Sequence, residues 1–172
     1  LLSEEPSIID NLPQVSDVSD QIEILKQMGA EVEWQGQKKV KINPRNISPE
    51  KIPIDLFEKM RVSVLLIGPL AIRFKRFKIP HPGGDKIGLR PIATHLEALE
   101  SFGIKTEEKD GFYHFEAPEK LEGKRIVLKE FSPTATEIIM MLASRAHGTT
   151  KIETAATEPQ VQDLGNFLKK TG

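Results

Sequence analysis

A short helix ending recurs three times in this chain, and it constrains the fold more than any other feature. Leu25-Lys26-Gln27-Met28-Gly29, Leu99-Glu100-Ser101-Phe102-Gly103 and Leu168-Lys169-Lys170-Thr171-Gly172 are spaced by 74 and 69 residues. Each reads as the last turn of a helix, with glycine where the chain needs a left-handed residue to stop. Common helix endings can coincide, so the surroundings must match as well, and they do. After the first two endings comes a short extended run, Ala30-Glu31-Val32-Glu33 and Ile104-Lys105-Thr106-Glu107. A repeat at this spacing implies units that cannot bury their own apolar faces and must pack on one another.

The periodicity between the endings fills in the unit. Residues 17–28 place Ile22, Leu25 and Met28 on one helical face, and residues 31–34 and 38–42 read as a hairpin around Gln35-Gly36-Gln37. A long helix is expected over about residues 55–76, apolar nearly all round from Val62 to Leu70, as suits a buried centre. A strand at 77–80 and a Gly-rich loop precede a helix over about 92–102, with Ile92, Leu96 and Leu99 on one face. A hairpin at 105–108 and 113–116 then turns at Lys109-Asp110-Gly111. Strand 125–129, helix 133–146 opened by Ser132-Pro133 and stopped by Gly148, strand 151–154 and helix 160–170 complete the chain. The expectation is an α/β domain of strand–helix–strand–helix–hairpin units, packed as an inside-out α/β barrel with helices in the middle. One domain covers 1–172 as three pseudo-repeats, about 1–43, 44–117 and 118–172. The first lacks its opening strand and most of its first helix, and the third lacks its hairpin. A weakly marked strand at 51–54 opens the second.

Composition removes several function classes. The net charge of −1 argues against a nucleic-acid or membrane partner held by a global field. No apolar run is long enough to span a bilayer, and no signal-peptide pattern opens the chain. There is no cysteine, which excludes disulfides and thiolate chemistry. His81, His95, His114 and His147 show no metal-ligand spacing, so no metal is expected. The chain opens on Leu1 rather than methionine, as expected of a processed product or a fragment.

Chemistry concentrates in Pro80-His81-Pro82-Gly83-Gly84-Asp85-Lys86-Ile87-Gly88-Leu89-Arg90-Pro91, which holds three prolines and three glycines in twelve residues just after a strand. This segment resembles the Pro-Gly-Gly-Cys-x-Ile-Gly-x-Arg-Pro loop of the UDP-N-acetylglucosamine enolpyruvyl transferases. It matches at Pro82, Gly83, Gly84, Ile87, Gly88, Arg90 and Pro91, and departs at Asp85, where most members have cysteine and some have aspartate. The resemblance extends to Leu2-Ser3-Glu4-Glu5-Pro6 as the end of a first helix. It also takes in Met60-Arg61-Val62-Ser63 and Gly68-Pro69-Leu70 on a central helix, and Gly148-Thr149-Thr150 with Glu158-Pro159.

The resemblance implies transfer of enolpyruvate from phosphoenolpyruvate to the 3′-hydroxyl of UDP-N-acetylglucosamine, by addition and then loss of phosphate. It implies no metal or organic cofactor, a bacterial cytoplasmic setting, and a second domain completing the cleft. On this reading Asp85 is the general acid and Arg90 the phosphate contact, a planar guanidinium suited to bidentate binding. Arg61 reaches the substrates, Pro91, Ile92, Ala93 and Thr94 line the uridine pocket, and Glu130, Phe131, Ser132 and Pro133 form a second binding stretch. The plain alternatives are a solvated loop carboxylate for Asp85, an exposed loop arginine for Arg90 and a helix-surface arginine for Arg61. To donate a proton, Asp85 must be desolvated or set beside an anionic substrate, because Lys86 and Arg90 favour its ionised form. Two residues depart from the family at the uridine end. Ala93 stands where many members have aspartate, and Glu130 where many have lysine, with Lys129 a candidate substitute. His95 reads equally as a helix cap or a ligand. Arg73, Lys75, Arg76 and Lys78 read as structural cations at a helix end, with a phosphate site the lesser alternative. Two other readings of the chain stay open: a binding module for UDP-sugar or phosphate without turnover, and the branch that uses shikimate 3-phosphate.

Overall fold

The repeated helix stop forms as the sequence requires. Helix α1 (Ser16–Gln27) ends with Ala30 N–H donating to the Leu25 carbonyl at 2.9 Å, and helix α4 (Ala93–Ser101) ends with Ile104 N–H donating to the Leu99 carbonyl at 3.1 Å. Gly29 and Gly103 sit at φ +109° and +80°, the left-handed conformation that lets a chain return those bonds. These facts come from a computed structural model, which describes residues 1–83 and 92–171. Gly172 and loop residues 84–91 lie outside the described residues.

Each of these two helices belongs to the same small sheet motif. Strands β1 (Ser7–Ile9), β2 (Glu31–Trp34) and β3 (Val40–Asn43) form an antiparallel sheet in the order β1-β3-β2. Strands β4 (Arg76–Pro80), β5 (Lys105–Lys109) and β6 (Phe112–Glu116) repeat it as β4-β6-β5. The second hairpin turns through Asp110 at φ +52° and Gly111 at +78°, the two positive angles of a tight hairpin turn. Strands β7 (Arg125–Val127) and β8 (Lys151–Glu153) pair in parallel, joined through helix α5 (Pro133–Ala143). Helix α6 (Pro159–Thr171) closes the chain. The molecule is thus an α/β domain of repeated strand and helix units.

Three expectations are corrected. The long helix over 55–76 is instead α2 (Ile54–Lys59), a 3₁₀ turn (Arg61–Leu66) and α3 (Ile67–Arg73). Met60 is extended at φ −125°, and Ser63 Oγ donates to the carbonyls of Phe57 (2.8 Å) and Met60 (2.6 Å), tying off the end of α2. Pro69 explains the late start of α3. In one continuous helix its missing N–H and its ring would disrupt the turn at Leu65, whereas in the first turn of α3 that N–H needs no partner. No strand forms at 51–54: a 3₁₀ turn (Pro49–Lys51) packed beside β4 ends there and Ile54 opens α2, and Pro53 removes a ladder donor. Leu2–Pro6 is not helical; Pro6 disfavours helical backbone at Glu5, and the segment runs into β1, a strand the periodicity did not reveal.

The helices meet in the middle. Helix α5 packs against α3, α4 and α6, with Ile138, Ile139 and Leu142 fully buried. A Cβ on Gly68 would stand 3.2 Å from Met141 Cε and 3.4 Å from its Cβ. Glycine is what lets α3 approach α5 this closely. Val64, Ile67 and Leu70 are also fully buried, so the apolar stretch sits at the centre as its composition predicts. Among the described residues no helix is long and apolar enough to cross a membrane.

Candidate functional site

The first turns of α4 and α5 lie side by side because both helices pack into the same core. Ser132 caps α5: its Oγ accepts from Ala135 N–H at 3.3 Å, its carbonyl accepts from Thr136 N–H at 3.0 Å, and Pro133 occupies the first helical position. Ile92 is buried directly before α4 and Ala93 is exposed at its start. Two side-chain hydrogen bonds tie the helix starts together. Thr94 Oγ1 donates to Glu130 Oε1 at 2.5 Å, and His95 Nε2 pairs with Thr134 Oγ1 at 2.7 Å.

His95 is 3% exposed. Its pKa is lowered to about 4, chiefly by burial and then by the charge of Arg61, against the Ile92 carbonyl and the Glu130 carboxylate, which favour the charged ring. The imidazole is therefore neutral at pH 7. Its environment also makes a pH prediction. The unfolded chain takes up the His95 proton near the ordinary value and the folded chain does not, so this contribution to stability is lost as pH falls from about 6.5 towards 4. About 2 kcal/mol should disappear across that window, after allowance for residual solvation. Denaturant titrations of His95→Asn at pH 7 and pH 4.5 should show a correspondingly shallower acid loss than the parent; equal losses would rule this out.

A second group of side chains stands at the base of the loop. His81 leaves β4 with its ring 4.6 Å from that of Tyr113 and its Nε2 3.4 Å from Glu108 Oε1. The Tyr113 hydroxyl is pushed above its ordinary pKa by burial and by Glu108, with Arg61 pulling the other way. Arg61, at the start of the 3₁₀ turn, thus acts electrostatically on both His95 and Tyr113. Gly83 presses on the Glu58 carbonyl, and a Cβ there would collide with it. So the loop leaves the scaffold between the end of α2 and the Tyr113 face.

Of the expected site residues, the structure brings Arg61, Ile92, Ala93, Thr94, Ser132 and Pro133 to one region, around the loop base and the two helix starts. Asp85, Arg90 and Pro91 lie outside the described residues. Lys129, the candidate substitute for a cation at position 130, pairs through its Nζ with Glu97 Oε1 at 2.6 Å. The basic cluster serves the fold. Arg73 donates to the Pro44 carbonyl at 2.8 Å, Lys75 and Arg76 pair with Glu119 and Glu116, and Lys78 lies over the Phe112 ring. Sequence reasoning missed Thr134 and Tyr113 as members of the region. It also missed Glu137, buried on α5 and held above the usual carboxylate pKa by burial and by Glu158. No local signal marks them, since each matters through a distant partner. A groove of about 720 Å³ is lined by Arg76, Lys78, Lys105 and His114 on the middle sheet, away from these helix starts. An open shelf encloses little volume, so groove size does not locate such a site.

Comparison with known proteins gives this geometry its setting. The chain is 38% identical over all 172 residues to a UDP-N-acetylglucosamine 1-carboxyvinyltransferase of Coxiella burnetii. It is 41% identical over 172 residues to UDP-N-acetylglucosamine 1-carboxyvinyltransferase 3 of Caldanaerobacter subterraneus. It spans 40% and 41% of the lengths of these relatives. In fold it resembles the enolpyruvyl transferase NikO from Streptomyces tendae, with TM-score 0.78 and 20% identity over 98% of this chain and 39% of that one. EPSP synthase from Acinetobacter baumannii follows, with TM-score 0.66 and 17% identity over 93% of this chain and 37% of that one. Residues 1–172 match, end to end, the family described as EPSP synthase (3-phosphoshikimate 1-carboxyvinyltransferase), and the chain therefore belongs to this family of enolpyruvyl transferases.

Proposed function

We propose that this chain supplies one wall of the active-site cleft of an enzyme that transfers enolpyruvate from phosphoenolpyruvate to the 3′-hydroxyl of UDP-N-acetylglucosamine, releasing phosphate. The reaction would commit the sugar nucleotide to peptidoglycan synthesis in a bacterial cytoplasm. The observation that carries this reading is the match over all 172 residues, at 38–41% identity, to proteins named for that transfer, together with the loop Pro82-Gly83-Gly84-Asp85-Lys86-Ile87-Gly88-Leu89-Arg90-Pro91. Asp85 protonates the methylene carbon of phosphoenolpyruvate, Arg90 holds its phosphate, and Arg61 holds the substrates from the 3₁₀ turn. Pro91, Ile92, Ala93 and Thr94, with Ser132 and Pro133, line the nucleotide end. The three pseudo-repeats, about 1–43, 44–117 and 118–172, form this wall, and a second domain of the same enzyme forms the other.

The chemistry suits these groups. Addition to the enol phosphate of phosphoenolpyruvate needs a proton donor and a fixed cation against departing phosphate, both held away from bulk water. One wall alone cannot exclude water or hold both substrates. The 172-residue chain should therefore release no phosphate from phosphoenolpyruvate and UDP-N-acetylglucosamine above a no-protein control, whereas a protein that completes it to the length of its relatives should. Turnover by the chain alone would refute the shared cleft. A second reading has its own support, because the matched family is described by the shikimate 3-phosphate reaction. The same assay decides it: phosphate release with shikimate 3-phosphate, and none with the UDP-sugar, would assign the other branch.

A further inference from the structure

A carboxylate with no counter-charge is buried where α5 and α6 meet. Glu137 sits on the second turn of α5 and is 8% exposed. The two helices pack together, and Ala156 N–H donates to Thr136 Oγ1 at 3.0 Å, which holds the approach to α6 against α5. Glu158 follows on that approach, its carbonyl accepting from the Val161 and Gln162 N–H groups of the first turn of α6. The neighbour so brought to Glu137 is another acid, and burial together with Glu158 holds the Glu137 carboxyl above its usual range. Among the described residues no hydrogen bond or ion pair reaches the Glu137 side chain. Cations on the adjoining stretches of chain are committed elsewhere, Lys129 to Glu97 and both Arg125 and Lys151 to Glu153. Buried charges in folded proteins are paired, and one left alone costs stability.

Chemistry narrows what completes the pair. A hard metal ion wants more oxygens than two carboxylates offer, and among the described residues no group of three His, Cys, Asp or Glu side chains could hold one. Phosphoenolpyruvate and a UDP-sugar are anions, which two acids repel. A guanidinium brings both the missing charge and its own donors, in a planar fork that suits carboxylates. We propose that Glu137 and Glu158 form a socket for one cationic side chain, best an arginine, from the part of a full-length protein that lies beyond this chain. The chain spans 40% and 41% of the lengths of its relatives, so a protein of that length has the polypeptide to reach the socket. This rests on the shared-cleft reading above and adds to it a point where the two walls lock together.

The test is a reversal of sign. Glu137→Gln keeps the shape and removes the charge, and is made both in the 172-residue chain and in a full-length protein carrying it. In the chain alone it should raise Tm by about 2–4 °C, because an uncompensated buried charge is gone. In the full-length protein it should lower Tm by several degrees, because the arriving cation is left without its partner. Glu158→Gln should move both proteins the same ways by less, since Glu158 is exposed. Amide hydrogen exchange over residues 134–137 and 160–163 gives a local second reading. It should be slower in the full-length protein than in the chain, and Glu137→Gln should cancel the difference. A Tm raised alike in both proteins, with the exchange difference kept, overturns the socket. A rise in the Tm of the chain with Mg²⁺ or K⁺ that Glu137→Gln abolishes overturns it in favour of a metal ion. Phosphate release separates this from the reading it rests on. An active full-length protein without the sign reversal loses the socket alone, whereas a reversal in an inactive one keeps the socket and removes the transferase reading.

Discussion

In a full-length protein carrying this chain, Arg90→Ala is expected to lower kcat/KM by about 2–4 kcal/mol, roughly 30- to 1,000-fold, with a substantial part appearing in kcat. The reason is the charge that develops as phosphate leaves. A guanidinium already in place stabilises that charge without reorganising, and its planar fork matches two phosphate oxygens. Arg90→Lys should recover only part of the loss, because an ammonium keeps the charge and loses the fork. Steady-state kinetics with phosphoenolpyruvate varied at saturating UDP-sugar would measure it. A kcat/KM within a few-fold of the parent would remove Arg90 from the phosphate site.

The second large effect concerns Asp85. The epoxide antibiotic fosfomycin alkylates the loop cysteine of those UDP-N-acetylglucosamine enolpyruvyl transferases that carry one, and the proposed function sets Asp85 at that position. A thiolate is a strong nucleophile towards an epoxide and a carboxylate a weak one. Since the chain has no cysteine, the full-length protein should resist the drug. Asp85→Cys should keep some activity and become sensitive, passing from no adduct to stoichiometric labelling. Its pH optimum should also move, because the acid changes from a carboxyl to a thiol. Intact-mass measurement after exposure separates the outcomes. A covalent adduct on the aspartate form, or an active cysteine form that takes up no drug, would show that Asp85 is not at the reacting centre.

The wider setting of these residues explains why some variants should be informative and others not. Arg61 acts on both the buried His95 and the half-buried Tyr113, so its removal would disturb two environments at once, and a loss of activity would not isolate substrate contact. Ala93 and Glu130 are exposed, so changes there report on ligands with little cost to the fold.

Sequence by itself determined the features whose causes are local. The helix stops at Gly29 and Gly103, the Ser132-Pro133 start of α5, the turn at Asp110-Gly111 and the apolar stretch destined for the centre all depend on residues within a few positions of one another. The loop motif was legible for the same reason, as a run of residue types in one segment. Tertiary structure alone decided the rest. It broke the central helix, where Ser63 drew the Phe57 and Met60 carbonyls away from a helical ladder and Pro69 required a first turn. It ordered both three-stranded sheets with the hairpin's second strand in the middle, which revealed β1 as the counterpart of β4. And it joined Thr94 to Glu130 and His95 to Thr134 across 36 and 39 residues of chain. Such pairs leave no periodic trace, because the partner of a polar side chain is set by which helices share a core rather than by spacing along the chain. That is why Glu130 looked in the sequence like a charge out of place, and in the fold accepts a hydrogen bond from Thr94.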